Sequence, residues 1–507
     1  MTRPNILLIT SDQHRGDCYG FAGRLVRTPN LDDLAARSTY FPLTTTPCLV
    51  CQPARASILT GLLPLTHGLW DNGLDLDPGM ADQGFAAIMA RAGYATAFIG
   101  KAHLSARLPY HPTGSPEDRT SPHPADWCGP YMGFEYAELN LSGDMNAPPY
   151  PPPLGQHYER WLYRYRDPNE VARQFALRTV PPSQPEQTWH SKFPVAWHDT
   201  EWAADRTIDL LRRRQGNDQP FCVWLSFADP HHPFDCPEPW SRLHDPKDVD
   251  LPPYRSLDLE QRPWWHAASL KGNPDAASDW ARGLRANFTR IHGQGDEQLA
   301  EMIANYYGMI SLIDHNVGRV LNTIDDLGLR ENTVVIFTSD HGDWLGDHGL
   351  LLKGPMAYEG LLTVGALLGG PGFEPGVTIS SPVSLLDLPA SILSAAALEV
   401  PVSWHSRPLQ EVVRGEERDY AYSEWNMDAS RCGVPLQLRI VRTRRLKLTL
   451  ELTSGAGEMY DLAEDPFELR NVFDDTGYAG ARAEMIGLIN DRPKDQQSTL
   501  KPLIGIG

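Results

Sequence analysis

No stretch of about twenty consecutive apolar residues occurs in the chain, so a membrane-spanning helix is not expected. Cysteine is scarce: seven residues, an odd number, are scattered over 507 positions. That usage suits a reducing compartment better than a disulfide framework. The opening Met1-Thr2-Arg3-Pro4 runs straight into an apolar segment, without the charged, apolar and small-residue zones of an export signal. A cytoplasmic protein is the expectation. Positive charge is also short, with 45 Lys and Arg against 64 Asp and Glu and a net charge of -19. Such a surface repels polyanions, which excludes nucleic acid as an expected partner. An anionic substrate has to be drawn in by a local cluster of cations.

What is present is a chain long enough for a large core and a smaller appendage. Short apolar runs at Asn5–Thr10, Tyr94–Ile99, Phe221–Phe227 and Thr333–Thr338 read as buried parallel strands. Helical patterns lie between them at Thr28–Arg37, Gln83–Ala92, Glu201–Arg214 and Asp296–Leu327. This alternation predicts an α/β fold with a mostly parallel central sheet flanked by helices. Two stretches rich in Pro, His, Tyr and Trp, about 105–195 and 235–281, show no period and read as ordered insertions. From Val400 the pattern turns to alternation, as in Leu436–Val441 and Leu446–Leu450, which predicts an antiparallel sheet with one wet face. The expected organisation is a catalytic domain over 1–399 and a smaller α+β subdomain over 400–507. Its tail, Arg492–Gly507, is a candidate contact for a neighbouring subunit of a homo-oligomer.

Each predicted parallel strand ends in unusual polar residues: Asp12 and Gln13, Lys101 and His103, His231, then Asp340 and His341. Taken singly, each has a plain explanation. Ser11 or Asp12 could cap a helix, and Lys101 could be a surface cation beside a loop histidine. In a parallel sheet, however, all strand C-termini lie along one edge, so these groups can meet. Lys101 and His103 alternate, and in an extended segment they project to one side as a pair of cationic donors. Lys353 follows a glycine-spaced loop.

The most distinctive stretch runs from Pro47 to Gly61 and contains Cys51-Gln52-Pro53-Ala54-Arg55 and Leu59-Thr60-Gly61. Cys48-x-x-Cys51 could be a redox pair or half of a zinc site, but no second Cys-x-x-Cys or nearby His pair completes one. If this run opens a helix, Arg55 stands one turn from Cys51.

Cys51-x-Pro-x-Arg55 resembles the signature of type I sulfatases. From Asn5 to about Asn471 the chain resembles the sulfatase branch of the alkaline phosphatase superfamily, which implies an alkaline-phosphatase-like fold. In that family the cysteine is oxidised to formylglycine by a maturation enzyme, which here becomes an expected partner. One hydroxyl of the hydrated aldehyde attacks sulfur, and the other, on losing its proton, expels sulfate. The resemblance implies one divalent cation held by Asp12, Gln13, Asp340, His341 and the oxygen at position 51, with Arg55 supporting both. It assigns Lys101, His103, His231 and Lys353 to the sulfuryl oxygens and the leaving group.

Two departures from the common sulfatase pattern refine this. Asp12-Gln13 and Asp340-His341 resemble the phosphonate monoester hydrolases of the same branch, and Asn72 matches a residue those enzymes use near the leaving group. An imidazole ligand favours Mn2+ over Ca2+, which prefers all-oxygen shells, with Mg2+ a further option. Gly100-Lys101-Ala102-His103, conversely, has the sulfatase form. The expected activity is hydrolysis of a small anionic ester, an arylsulfatase-type reaction with side activity on phosphonate monoesters and phosphodiesters. The alternatives are a phosphonate monoester hydrolase or phosphodiesterase as main activity, and a two-metal phosphatase or phosphomutase using Asp343, Asp347 and His348. Trp127, Tyr131, Trp264 and Trp265 in the insertions point to a flat leaving group, or equally to packing.

Overall fold

The four apolar runs become the centre of one eight-stranded sheet. The computed structural model describes residues 3–141, 147–271, 278–288 and 290–506. Its strands are β1 (Asn5–Ser11), β2 (Ser38–Phe41), β3 (Ala95–Gly100), β4 (Tyr136–Leu139), β5 (Phe221–Ser226), β6 (Thr333–Ser339), β7 (Ala366–Gly369) and β8 (Val377–Thr378). They lie in the order β8-β2-β7-β6-β1-β5-β3-β4. The five strands from β6 to β4 are parallel, and β7 is antiparallel to both of its neighbours.

Successive residues of β1 point to opposite faces, and both faces are covered. Ile6 and Leu8 pack with Ala56, Ile58 and Leu59 of α1 (Cys51–Thr60). Leu7 and Ile9 pack with Trp202 and Leu211 of α2 (Asp199–Arg213) and Ile313 and Val317 of α3 (Asp296–Asp326). Burying each such aliphatic side chain contributes about 1.5–3 kcal/mol. That two-sided burial is why these strands read as continuous apolar runs.

Four antiparallel strands, β9 (Tyr420–Met427), β10 (Leu436–Thr443), β11 (Leu446–Glu451) and β12 (Gly457–Asp461), form a second sheet in that order. α4 (Ala479–Asn490) packs on it through Met485 and Ile489. Among the described residues, no helix is long and apolar enough to cross a membrane.

One expectation is corrected. The stretch 105–195 is more than an insertion: it supplies β4, an edge strand of the main sheet, and helices at His157–Tyr163 and Pro168–Phe175. Its aperiodic composition hid these short elements; 142–146 here, and 272–277 of the second insertion, lie outside the described residues. The C-terminal tail packs on its own chain. Ile504 N–H donates to Gly73 O (2.8 Å), and Lys501 O accepts from Trp70 Nε1 (2.9 Å).

Candidate active site

The sheet register places the site. Ser11 of β1 pairs with Ser339 of β6, so the residues that follow, Asp12 and Asp340, emerge side by side. Gly100 pairs with Ser226 on β5, which brings Lys101 to the same edge. Gly100 has φ 111°, and a Cβ there would lie 1.9 Å from Ser226 O. Glycine is therefore required where Lys101 turns inward.

α1 delivers Cys51 to this edge from the other side. Cys51 is its first residue, so unpaired N–H groups and the positive end of the helix dipole surround position 51. Asn72 Oδ1 accepts one of these N–H groups, that of Gln52, at 3.0 Å. Pro53 costs nothing in this first turn, where its missing N–H has no helical partner. One turn on, Arg55 Nε lies 2.8 Å from Asp340 Oδ2 and Nη2 lies 3.3 Å from Asp12 Oδ2. Arg55 Nη1 donates to Lys101 O and Ser226 Oγ, both at 2.8 Å.

One ligand atom from each of Asp12, Cys51, Asp340 and His341 lies within 4.8 Å of the others, and all four residues are buried. Cys51 Sγ is 3.1 Å from His341 Nε2 and 3.6 Å from Asp12 Oδ1. His341 Nδ1 lies 2.8 Å from Gly342 O, and because a carbonyl only accepts, Nδ1 carries the proton. Nε2 thus turns a lone pair toward the cluster, the tautomer a metal ligand needs. Burial, then Lys353, hold the His341 pKa below its ordinary value. Two carboxylates, a neutral imidazole and a position-51 heteroatom form a donor set that fits a divalent cation.

Burial raises the Asp12 pKa, but Lys101, His231, Arg55 and Lys353 together outweigh it and hold the carboxyl well below the usual range. Lys101 Nζ lies 2.7 Å from Asp12 Oδ2, both sealed from solvent. The Cys51 thiol is pushed up to about 11 by burial and then by Asp12, so it is protonated at neutral pH.

Lys353 Nζ stands among acceptors, 2.8 Å from Gln13 Oε1, 2.9 Å from His231 Nε2 and 3.2 Å from Cys51 Sγ. His231 Nδ1 donates to His232 O, which leaves its Nε2 to accept from Lys353. Gln13 reaches Asp340 through its backbone N–H (3.1 Å), while its amide oxygen faces the Lys353 ammonium. Asn72 and His103 line the cavity that opens from Cys51.

The extended-segment argument for Lys101 and His103 is corrected. His103 has φ 52°, so the chain turns there: Lys101 goes inward to Asp12, whereas His103 borders the cavity. Of the insertion aromatics, none of Trp127, Tyr131, Trp264 and Trp265 borders it; among the described residues the indole rings that do are Trp344 and Trp425. Trp265 is instead buried, with Nε1 on Pro355 O. The groups available for a second metal are bound to the scaffold. Asp343 accepts from Gln13 and the Leu345 and Leu352 N–H groups, Asp347 pairs with Arg15, and His348 stacks on Tyr358. Cys48 lies in an apolar cluster with Leu49 and Val50.

Other contributors carried no sequence signal. Ser226 is an ordinary strand residue until Arg55 meets it. Glu117, inside the aperiodic stretch, accepts the backbone N–H groups of His103, Leu104 and Ser105 and so shapes the loop after β3.

Residues 4–398 match the family model described as Sulfatase, and residues 346–495 match the one described as N-sulphoglucosamine sulphohydrolase, C-terminal. An arylsulfatase of Clostridium perfringens is 28% identical over 493 residues, 94% of this chain and 91% of its own. The multifunctional alkaline phosphatase superfamily protein PehA of Trinickia caryophylli is 30% identical over 368 residues, 70% of this chain and 66% of its own. The crystal structure of the phosphonate monoester hydrolase of Agrobacterium radiobacter superposes with a TM-score of 0.73 at 27% identity, covering 96% of this chain and 95% of that one. On the family match across most of its length, the chain belongs to the Sulfatase family of the alkaline phosphatase superfamily and is a sulfuric ester hydrolase.

Proposed function

We propose that this chain hydrolyses sulfate monoesters with a formylglycine hydrate at position 51 as nucleophile, beside one divalent cation. The observation that carries this is the convergence of Asp12, Cys51, Asp340 and His341 at the first residue of α1. The cation, held by Asp12, Asp340, His341 and the Gln13 amide, would supply Lewis-acid stabilisation of negative charge at position 51. His341 favours Mn2+ over Ca2+ in that role. Because Cys51 is 1% exposed, the maturation enzyme would have to reach it before the chain closes.

Within that site the hydrate oxygen attacks sulfur, and the bond from sulfur to the ester oxygen breaks. Arg55 fixes the two carboxylates. The attacking hydroxyl gives up its proton; Lys353, His103 and His231, with Lys101 behind them on Asp12, serve the sulfuryl group and the departing oxygen, and a His or Lys of this set on the leaving side donates the proton that oxygen takes. Loss of a proton from the second hydroxyl then expels sulfate and restores the aldehyde. Side activity on phosphonate monoesters and phosphodiesters is part of the proposal, supported by Gln13, Asn72 and His341 and by the likeness to phosphonate monoester hydrolases.

Two measurements test this. Mass spectrometry of the peptide spanning Cys51, from protein co-produced with a maturation enzyme, should show formylglycine in place of the thiol. Cys51→Ala should lower aryl sulfate turnover by on the order of 10⁶, as loss of a covalent nucleophile does. Equal turnover in Cys51→Ala and the parent would overturn the proposal. Rates on an aryl sulfate and an aryl phosphonate monoester, taken side by side, rank the two activities.

A further inference from the structure

A buried carboxylate that the mechanism does not use stands beside Asn72. Asp71 is closed to solvent, and its neighbours Asn72 and Arg431 line the cavity that opens from Cys51. Burying such a charge is costly unless donors surround it, and here they do. Asp71 Oδ1 accepts from the Asn72 N–H at 2.8 Å and from Trp425 Nε1 at 3.2 Å, and Oδ2 accepts from the Asp428 N–H at 3.2 Å. Arg431 Nε donates to Oδ1 at 3.0 Å, and its Nη2 lies 2.7 Å from the same oxygen. Charge-assisted contacts of this kind hold a tighter geometry than neutral ones. Apart from Asn72, these donors come from the end of β9 and from the turn of helix that follows it, Ala429–Cys432.

On its other side Asn72 reaches α1. Val50, which precedes α1, offers no side-chain acceptor, so the N–H groups of the first turn need partners from elsewhere. Asn72 Oδ1 supplies one for Gln52, the residue after Cys51, at 3.0 Å. Gln52 returns the contact: its Nε2 donates to Leu74 O at 2.9 Å, and its Oε1 accepts the Gly73 N–H. A series of hydrogen bonds thus runs from Arg431 through Asp71 and Asn72 to Gln52, ending beside the group at position 51. A displacement of about 1 Å at a nucleophile costs on the order of 10²-fold in rate.

We propose that Asp71 is a positioning residue for the reaction. Acting through Asn72, it fixes the first turn of α1 and so holds position 51 in register with Asp12 and Asp340. The chemistry at position 51 rests on the sulfatase reading above, whereas the hold on Gln52 does not. The rival is that Asp71 only ties the second sheet to the rest of the chain and contributes to stability alone.

A double-mutant cycle with 4-nitrophenyl sulfate separates the two. Asp71→Asn keeps the shape and removes the charge, and it should lower kcat by on the order of 10–100-fold with KM close to that of the parent. Asn72→Ala should lower kcat as well. Once Asn72 is gone, adding Asp71→Asn should cost less than about threefold more, because residues acting in one series are not additive. An unchanged kcat in Asp71→Asn, or losses that multiply in the double variant, overturns the proposal.

Hydrogen exchange at the Gln52 amide, resolved by fragmenting the peptide across Cys51 in a mass spectrometer, asks the same without turnover. Taken relative to the amides of β1, which report opening of the whole sheet, it should speed up by about tenfold in Asp71→Asn. Asp71→Asn strands the Arg431 charge and can unfold the chain, so Asp71→Asn combined with Arg431→Gln, which removes both charges, is measured beside it. An unchanged relative rate at Gln52 in the folded variants overturns the proposal. If the parent does not hydrolyse the ester, it is the sulfatase reading that fails, and the Gln52 exchange rate alone decides the role of Asp71.

Discussion

The Arg55 guanidinium joins Asp340 and Asp12, at 2.8 and 3.3 Å, with all three side chains closed to solvent. It sits on α1, whereas the acids follow β1 and β6, so one side chain locks the helix to the sheet edge. Removing it strands buried carboxylate charge. Arg55→Met is expected to destabilise the fold by about 3–5 kcal/mol, read from urea unfolding. Arg55→Lys should recover only part of this, because a single ammonium cannot span both acids and also reach Lys101 O. Equal stability of Arg55→Met and the parent would show that the bridge is energetically neutral.

Lys353 and Lys101 should separate in a two-way measurement. Lys353 is half-buried and touches Gln13, His231 and Cys51, and among the described residues it pairs with no acid. Lys353→Met is expected to lower kcat on an aryl sulfate by about 10²–10³ with little change in stability. Lys101 is sealed against Asp12, so Lys101→Met should cost about 3–5 kcal/mol of stability as well as activity. The reverse pattern, a stable Lys101→Met and an unfolded Lys353→Met, would reassign the two lysines.

A cation that binds the folded site alone must stabilise it by mass action. At a thousandfold excess over Kd the gain is about 4 kcal/mol, and a chelator should remove it. Mn2+ is expected to raise the unfolding midpoint more than Ca2+ does, since His341 offers an imidazole lone pair to the cluster. His341→Asn, which returns an oxygen donor, should narrow that gap. Absence of any shift with Mn2+, Ca2+ or Mg2+ would count against the cation.

The sheet was legible because β1, β3, β5 and β6 are buried on both faces and therefore read as unbroken apolar runs. Parallel pairing then put their C-terminal ends along one edge, and with that came the meeting of Asp12, Asp340 and Lys101. β4 was not legible: four residues at a sheet edge, between cis-proline loops, are too short to establish a period. The direction of His103 was missed because its positive φ breaks the alternation that an extended segment would keep. The anchoring of Asp71 was invisible for another reason. Trp425 and Arg431 lie far from it in the chain and meet it only after folding.

Acid should destabilise the protein through His67. Its Nδ1 accepts the Leu69 N–H at 3.1 Å, so the proton is on Nε2, which faces Ser57 Oγ at 3.1 Å. Burial pulls its pKa from 6.5 to about 3. Between these values the unfolded chain binds a proton that the folded one refuses. The stability His67 contributes is therefore complete above pH 6.5 and is lost as pH falls toward 3, by at most about 1.4 kcal/mol per pH unit. His67→Gln removes that linkage while losing hydrogen bonds at every pH. The parent should thus exceed His67→Gln at pH ~8, and the gap should narrow by about 2 kcal/mol at pH ~5 in urea unfolding. A gap that stays constant between the two pH values would mean that the folded protein accommodates the charged imidazole, contrary to its burial between Ser57 and Leu69.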